Sequence, residues 1–296
     1  MPKPSGMNAR SRPLLAILVV LGFQVVHAGE LPDYIRFAED AKSARLEIAI
    51  KTFTMPSGKK IDLIGVVHIA DDAYYQELNR RFDAYDTVLF ELVGDPKRLT
   101  ESAPLTDEQR ELQPRGGAVS SIQQAAGQYL NLTFQLGAID YTRKNMVHAD
   151  ATAEEFETMQ KERGETTITL FARAMQAQLN GQMNSAAMSE LDTFGLIRIL
   201  MSRDSAAEFK KVLAKSLDQM ESLTAAIEGK DGTVIVSGRN NVVVNKIKEV
   251  LAFKKQRRIA VFYGAAHMPG IESALIKDMK AKASGEEWLA AWTMPK

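Results

Sequence analysis

The sequence predicts an α/β (α+β) fold: a small mixed central sheet with G-x-x-H motifs at strand ends and a large helical insertion. Three observations predict it. Short, β-rich apolar runs occur toward both ends of the chain and bracket a middle region whose apolar residues recur every three or four positions. The same pattern, Gly65-Val66-Val67-His68 and Gly264-Ala265-Ala266-His267, closes a run near each end. The composition, 45% hydrophobic and 25% charged over 296 residues, is that of a soluble globular protein, and the length suits one large domain or two small ones with a sizeable core.

Residues 1–28 read as an export address. Lys3, Arg10 and Arg12 form a positive segment without acids, Leu14 to Val26 is an apolar run, and Val26-His27-Ala28 ends in a small residue suited to cleavage. The run is too short to span a bilayer as a helix. Cleavage after Ala28 leaves 268 residues with 34 basic and 37 acidic side chains, an exported and most simply periplasmic (or secreted) chain. No later segment approaches the ~20 apolar residues of a membrane span. Residues 29–296 are read as a single domain, with a helical cap region over about 121–228.

Within that domain, Ile48 to Phe53 and Ile61 to His68 flank Pro56-Ser57-Gly58-Lys59, which predicts a hairpin. Asp71-Asp72 cap a helix with apolar positions at Tyr75, Leu78 and Phe82. Thr87 to Val93 reads as a buried strand stopped by Gly94-Asp95-Pro96, and residues 95–120 as loop with one short helix. Helical spacing follows in Ile168, Phe171, Met175 and Leu179, and again in Phe209, Leu213, Ser216, Met220, Leu223 and Ile227. The methionines near 175, 183, 188 and 201 read as core filling. Strand returns at Arg258 to Gly264, a helix follows Pro269, and Trp288 and Trp292 stand one helical turn apart, closing the core.

A formal net charge of zero provides no basic field for a nucleic-acid binder. Without cysteine there is no disulfide framework, zinc ribbon or thiol nucleophile. Any metal site must therefore use histidine and carboxylate, and the mature chain has only His68, His148 and His267. His68 and His267 each close a predicted strand just before a helix start. In open α/β sheets ligands bind outside the carboxyl ends of strands, so the two could share one site. Glu91 interrupts an apolar strand, where an unpartnered carboxylate is costly. Two imidazoles and one carboxylate suit a divalent ion with an open water position. His148-Ala149-Asp150 precedes a capping box, Thr152 with Glu155; Asp150 reads equally as a ligand, an orienting group or a turn residue. Arg239 opens a helix after Val234-Ile235-Val236-Ser237-Gly238 and reads as an anion or oxyanion contact or as a surface ion pair.

In the segments GVVHIADDAYYQEL (65–78), LFELVGDPKR (89–98), GRNNVVVNKI (238–247) and FYGAAHMPGIESAL (262–275), with QLGAIDYTRKNMVHAD (135–150) between, the chain resembles the TraB/PrgY/GumN/Tiki superfamily. That family is similar in core to erythromycin-esterase-like and ChaN-like proteins. The resemblance implies a metal-dependent hydrolase, since Tiki proteins are described as membrane-tethered metalloproteases that trim an extended segment of a secreted signal. Carried over by position, the matching residues are His68, Glu91, Arg239 and His267; His148 and Asp150 come from local context alone. The chain departs from the tethered members in having no span after the export address.

The first expectation is thus a metal-dependent peptidase or hydrolase of a peptide or small-molecule substrate. His68, His267 and Glu91 would share Mn²⁺, Co²⁺ or Zn²⁺, Glu91 would double as general base, and Arg239 would steady the oxyanion. The alternative is a non-enzymatic binder that holds haem or sequesters a peptide.

Overall fold

Four neighbouring parallel strands decide where chemistry can sit. The computed structural model describes residues 33–97, 132–166, 204–218 and 231–295, with isolated positions between them (99, 130, 168–170, 172, 173, 176, 201, 202, 224, 227 and 228). Strands β1 (Ile35–Glu39), β2 (Ser43–Thr54), β3 (Lys60–Val66), β5 (Thr87–Phe90), β7 (Met146–His148), β8 (Arg258–Gly264) and β9 (Lys282–Pro295) form one sheet. Its parallel part runs β3-β8-β5-β7. The long β2 pairs antiparallel with β9 along one edge, and with β1 and then β3 along the other. A two-stranded ladder of β4 (Ile69–Ala70) with β6 (Thr133–Phe134) stands beside it.

The expected hairpin is present. Thr54 pairs with Lys60 across a turn in which Gly58 takes φ +79°, open to glycine without steric cost. Helix α1 (Asp72–Phe82) buries Tyr74, Tyr75, Leu78 and Phe82 at the expected spacing. Asp71 stands at its N-cap, but the carboxylate serves elsewhere, accepting from Lys210 Nζ at 2.5 Å and from the Thr293 N–H at 2.7 Å. Helix α2 (Ala153–Arg163) starts on the expected Thr152–Glu155 capping box and ends at Gly164 in the left-handed region. Helices α3 (Ser205–Asp218), α4 (Arg239–Ala252) and α5 (Met268–Lys277) complete the described elements of helical length. The core gathers Leu46, Ile48, Ile61, Leu63, Ile64, Phe82, Val261 and Phe262 between sheet and helices.

Several expectations change. The chain end is the strand β9, not a helix. Residues four apart share a face at either periodicity, and β2 supplies an unpaired edge twelve residues long that outweighs local helix preference. Trp292 is buried and donates to Ile69 O, while Trp288 lies under the Arg36 guanidinium, so both serve packing as expected. The strand at Thr87 stops at Phe90, because Glu91 turns out of the ladder into a polar cluster. The segment assigned to the helical cap contributes β6 and β7, strands too short to show a period-two pattern. On α3 the fully buried positions are Lys210, Val212 and Ala214, with Phe209, Leu213 and Ser216 half-buried. Ile168 and Met201 are 80% and 82% exposed, so neither fills the core. Residues 1–28, most of 95–120, and positions 171, 175, 179, 183, 188, 220 and 223 lie outside the described residues.

Candidate active site

Each of the four parallel strands delivers one sequence-selected residue or pair at its carboxyl end. His68 follows β3 by two residues, Glu91 follows β5 directly, and His148 ends β7, two residues before Asp150. His267 ends a 3₁₀ turn, Ala265–His267, that directly continues β8. The ladder pairs Val66 with Gly264, and Phe90 with both Phe262 and His148, so these ends lie near one level of the sheet.

Arg239 ties three of them together. It is the first residue of α4 and follows a π-helical turn, Val234–Gly238. That turn is held from outside: Glu165 Oε2 accepts the Val234 N–H at 2.7 Å, and Glu228 accepts from the Thr233 and Ser237 hydroxyls. The guanidinium grips Asp150 in two places, Nε to Oδ1 at 2.9 Å and Nη2 to Oδ2 at 2.5 Å. Nη2 also reaches Glu91 Oε1 at 2.5 Å. Side-chain exposure is 9% for Arg239 and Glu91 and 0% for Asp150, so these charges meet in a largely dry environment. Burial opposes the charge on Glu91, but His267 in its protonated form, Arg239 and the Gly264 N–H together hold its carboxyl well below the usual range. Burial likewise works against the Arg239 charge, and the two carboxylates raise it above its ordinary value.

His267 is fixed by Asn240. Asn240 Nδ2 donates to the His267 carbonyl at 3.2 Å, which turns its Oδ1 toward the ring, 2.8 Å from Nδ1. Nδ1 therefore carries the proton in the neutral ring, and Nε2 presents its lone pair to the cluster. Nε2 lies 3.3 Å from Arg239 Nη1 and 3.5 Å from Glu91 Oε1. Two glycines make this possible. A Cβ on Gly264 would stand 3.1 Å from Glu91 Oε2, which instead accepts the Gly264 N–H at 2.5 Å; a Cβ on Gly270 would overlap Asn240 Nδ2. Tyr263 packs edge-on against the His267 ring and donates to Ala149 O at 2.6 Å, bracing the β7 end.

The remaining sequence-selected residues stand apart. His68 is exposed, and among the described residues its ring bonds Gln135 Oε1 at 2.9 Å. Gln135 Nε2 donates onward to Tyr141 OH, whose ring packs on Phe90. His148 Nε2 donates to Leu92 O at 2.7 Å and so anchors the chain leaving Glu91. The structure thus brings together Glu91, Asp150, Arg239 and His267, and adds Asn240, Gly264 and Gly270. Asn240 follows the selected Arg239 directly, and Gly264 opens the selected motif, but nothing in the sequence pattern showed that Asn240 would orient an imidazole 27 residues away.

Residues 54–283 match the TraB/PrgY/gumN family. The chain belongs to this family. No curated protein matches the chain. The divalent ion expected from the sequence needs His68, His267 and Glu91 in one sphere, and the donors as placed do not fit it. Among the described residues no group of three or more His, Asp or Glu is arranged to hold a metal ion. The Glu91 oxygens are engaged by Arg239 and Gly264, and a guanidinium already occupies the cationic place in the cluster.

Proposed function

We propose that this TraB/PrgY/gumN protein is a hydrolase of amide or ester bonds, acting on extended peptide segments, in which His267 and Arg239 do the chemistry. One observation carries the reading: the two weakly held polar groups of the cluster, His267 Nε2 and Arg239 Nη1, are neighbours at 3.3 Å. Every other nitrogen of the pair has a closer partner. Nε and Nη2 of Arg239 are held by Asp150 and Glu91 and Nδ1 of His267 by Asn240, whereas among the described residues Nη1 otherwise reaches only Ile235 O at 3.5 Å. A base lone pair and a weakly held N–H donor, side by side on a supported cluster, are what acyl transfer to water requires.

In this reading Nε2 takes a proton from a water as its oxygen attacks the carbonyl carbon. Nη1 donates to the carbonyl oxygen as it gains charge. The imidazolium that forms faces Glu91, and because two carboxylates oppose one guanidinium, the cluster carries the negative charge needed to stabilise it. The proton then passes to the leaving amine or alkoxide, giving acid and amine or alcohol. Glu91 and Asp150 remain ionised throughout and act by positioning Arg239 and stabilising charge. The export address at residues 1–28 supports placing this activity in the periplasm or the medium; the mass of the mature chain, with Gly29 first, tests that placement.

The deciding assay incubates the purified chain with unstructured peptides and aryl esters, in chelator and separately with added Mn²⁺, Co²⁺ or Zn²⁺. Turnover is expected in wild type and in His68→Gln, with loss in His267→Gln and Arg239→Lys. Full activity in His267→Gln overturns the reading. Equal dependence on both histidines together with a metal requirement would restore a shared ion in its place.

A further inference from the structure

The opposite end of the same parallel strands carries a different chemistry. β3 and β8 begin there, at Lys60 and Arg258, and the approach to β8 reads Phe253-Lys254-Lys255-Gln256-Arg257. A cavity of about 470 Å³ opens between the β2–β3 turn and the end of α4, lined by Ser57, Gly58, Lys59, Leu251, Lys254 and Arg257, with no acid among its lining residues. Lys59 Nζ is engaged by the Leu251 and Phe253 carbonyls at 2.6 and 2.8 Å, closing the helix C-terminus. The side chains of Lys60, Lys254, Lys255 and Arg257 have no carboxylate within ion-pair distance among the described residues, whereas Arg36 and Lys211 elsewhere each hold one and Arg81 holds two. Of the nearby acids, Asp86 accepts the backbone N–H groups of Arg257 and Arg258, and Asp62 pairs with the Arg258 guanidinium. In the middle of these cations Phe253 is 64% exposed.

Cations around a cavity select an anion, and an aromatic side chain projecting beside them needs an apolar medium. A soluble phosphate satisfies only the first, and an apolar protein face only the second. A phospholipid headgroup with its acyl boundary satisfies both. We propose that this face docks on a membrane surface rich in anionic phospholipid, with the cavity receiving a headgroup phosphate and Phe253 entering the acyl boundary. Among the described residues no helix is long and apolar enough to cross a membrane, so the association is adsorption at the surface. Docking by the amino ends of the strands leaves the cluster at their carboxyl ends turned toward solution.

The test is co-flotation of the full chain with vesicles of phosphatidylglycerol and phosphatidylcholine, against vesicles of phosphatidylcholine alone. Binding is expected only to the anionic vesicles and should weaken in high salt. Each basic residue near the surface contributes about fivefold in partitioning. Lys254→Glu with Arg257→Glu is therefore expected to lower binding by more than tenfold, and Phe253→Ser by several-fold. All three side chains are surface-placed, and circular dichroism checks that the variants remain folded. Equal flotation with neutral vesicles, or unchanged binding in the double variant, overturns the proposal. Displacement by millimolar inorganic phosphate also overturns it, since the cavity would then be a site for a free anion. None of these outcomes touches His267 or Arg239, so the docking surface and the hydrolase reading fail independently.

Discussion

Gly65 and Gly264 lie on neighbouring parallel strands, and each makes room for something different. A Cβ on Gly65 would press on Ile48 Cγ2 at 3.0 Å, inside the core; a Cβ on Gly264 would press on the Glu91 carboxylate at 3.1 Å, inside the polar cluster. The histidines three residues on diverge as well. His68 is exposed and bonds Gln135, while His267 is buried among Asn240, Arg239 and Glu91. The ladder supplies the cause. Val66, not Gly65, pairs with Gly264, so the two motifs are one residue out of register and equivalent positions address opposite faces of the sheet. A repeated pattern therefore places two histidines at the same end of the sheet without giving them the same neighbours.

The sharpest way to break this contrast is to remove the group that organises one side of it. Arg239→Ala leaves Asp150 and Glu91 buried without their cation, and breaking such a pair costs roughly 3–5 kcal/mol. His68→Ala, at an exposed position, is expected within about 0.5 kcal/mol of wild type. Urea unfolding of both variants reads the difference; near-equal stabilities would mean that the cluster is not closed as described. Activity separates the two next. His267→Gln removes the base and is expected to lower kcat by about 10²- to 10⁴-fold, while His68→Gln changes it less than about tenfold. The peptide assay with both variants at saturating substrate decides this, and a reversed order would move the chemistry to the first motif.

How much of this was legible follows from range. The hairpin at Pro56–Lys59, the α1 stripe and the Thr152–Glu155 box depend on residues close in sequence, and each shows as a local pattern. Glu91 was legible for an energetic reason, since a carboxylate in an apolar strand requires a partner. The identity of that partner was not legible, because Arg239 lies 148 positions away and no local period encodes the pairing. Trp288 and Trp292 misled for a related reason: a spacing of four is common to helix and strand, and only the edge of β2 selects between them. Asn240 was hidden because its orienting role depends on a glycine thirty positions later that leaves space for its amide.

The glycines sharpen the contrast at smaller amplitude. Gly65→Ala forces Ile48 to shift and is expected to cost about 1–3 kcal/mol, as overpacked cores do, with activity per folded molecule retained. Gly264→Ala pushes on the Glu91 carboxylate that Arg239 holds, so it is expected to disturb the cluster and cost more activity than Gly65→Ala. Thermal unfolding paired with kcat distinguishes the two patterns. If both variants lose stability and activity in the same proportion, the two motifs are equivalent and the register argument fails.

The mildest test uses acid. Glu91 has its folded-state carboxyl held below the ordinary value of 4.5, so the folded protein keeps this group ionised at pH values where the unfolded chain already binds a proton. The contribution is therefore complete above the ordinary value and declines as pH falls below it, because each step down rewards the unfolded state for proton uptake that the folded state resists. Glu91→Gln removes the titration. The gap in unfolding free energy between wild type and Glu91→Gln is accordingly expected to be constant from neutral pH down to about 5 and to narrow progressively below 4.5. A gap that stays flat down to the acid limit would mean that Glu91 titrates alike in both states. The Arg239 and Gly264 contacts would then not stabilise its charge.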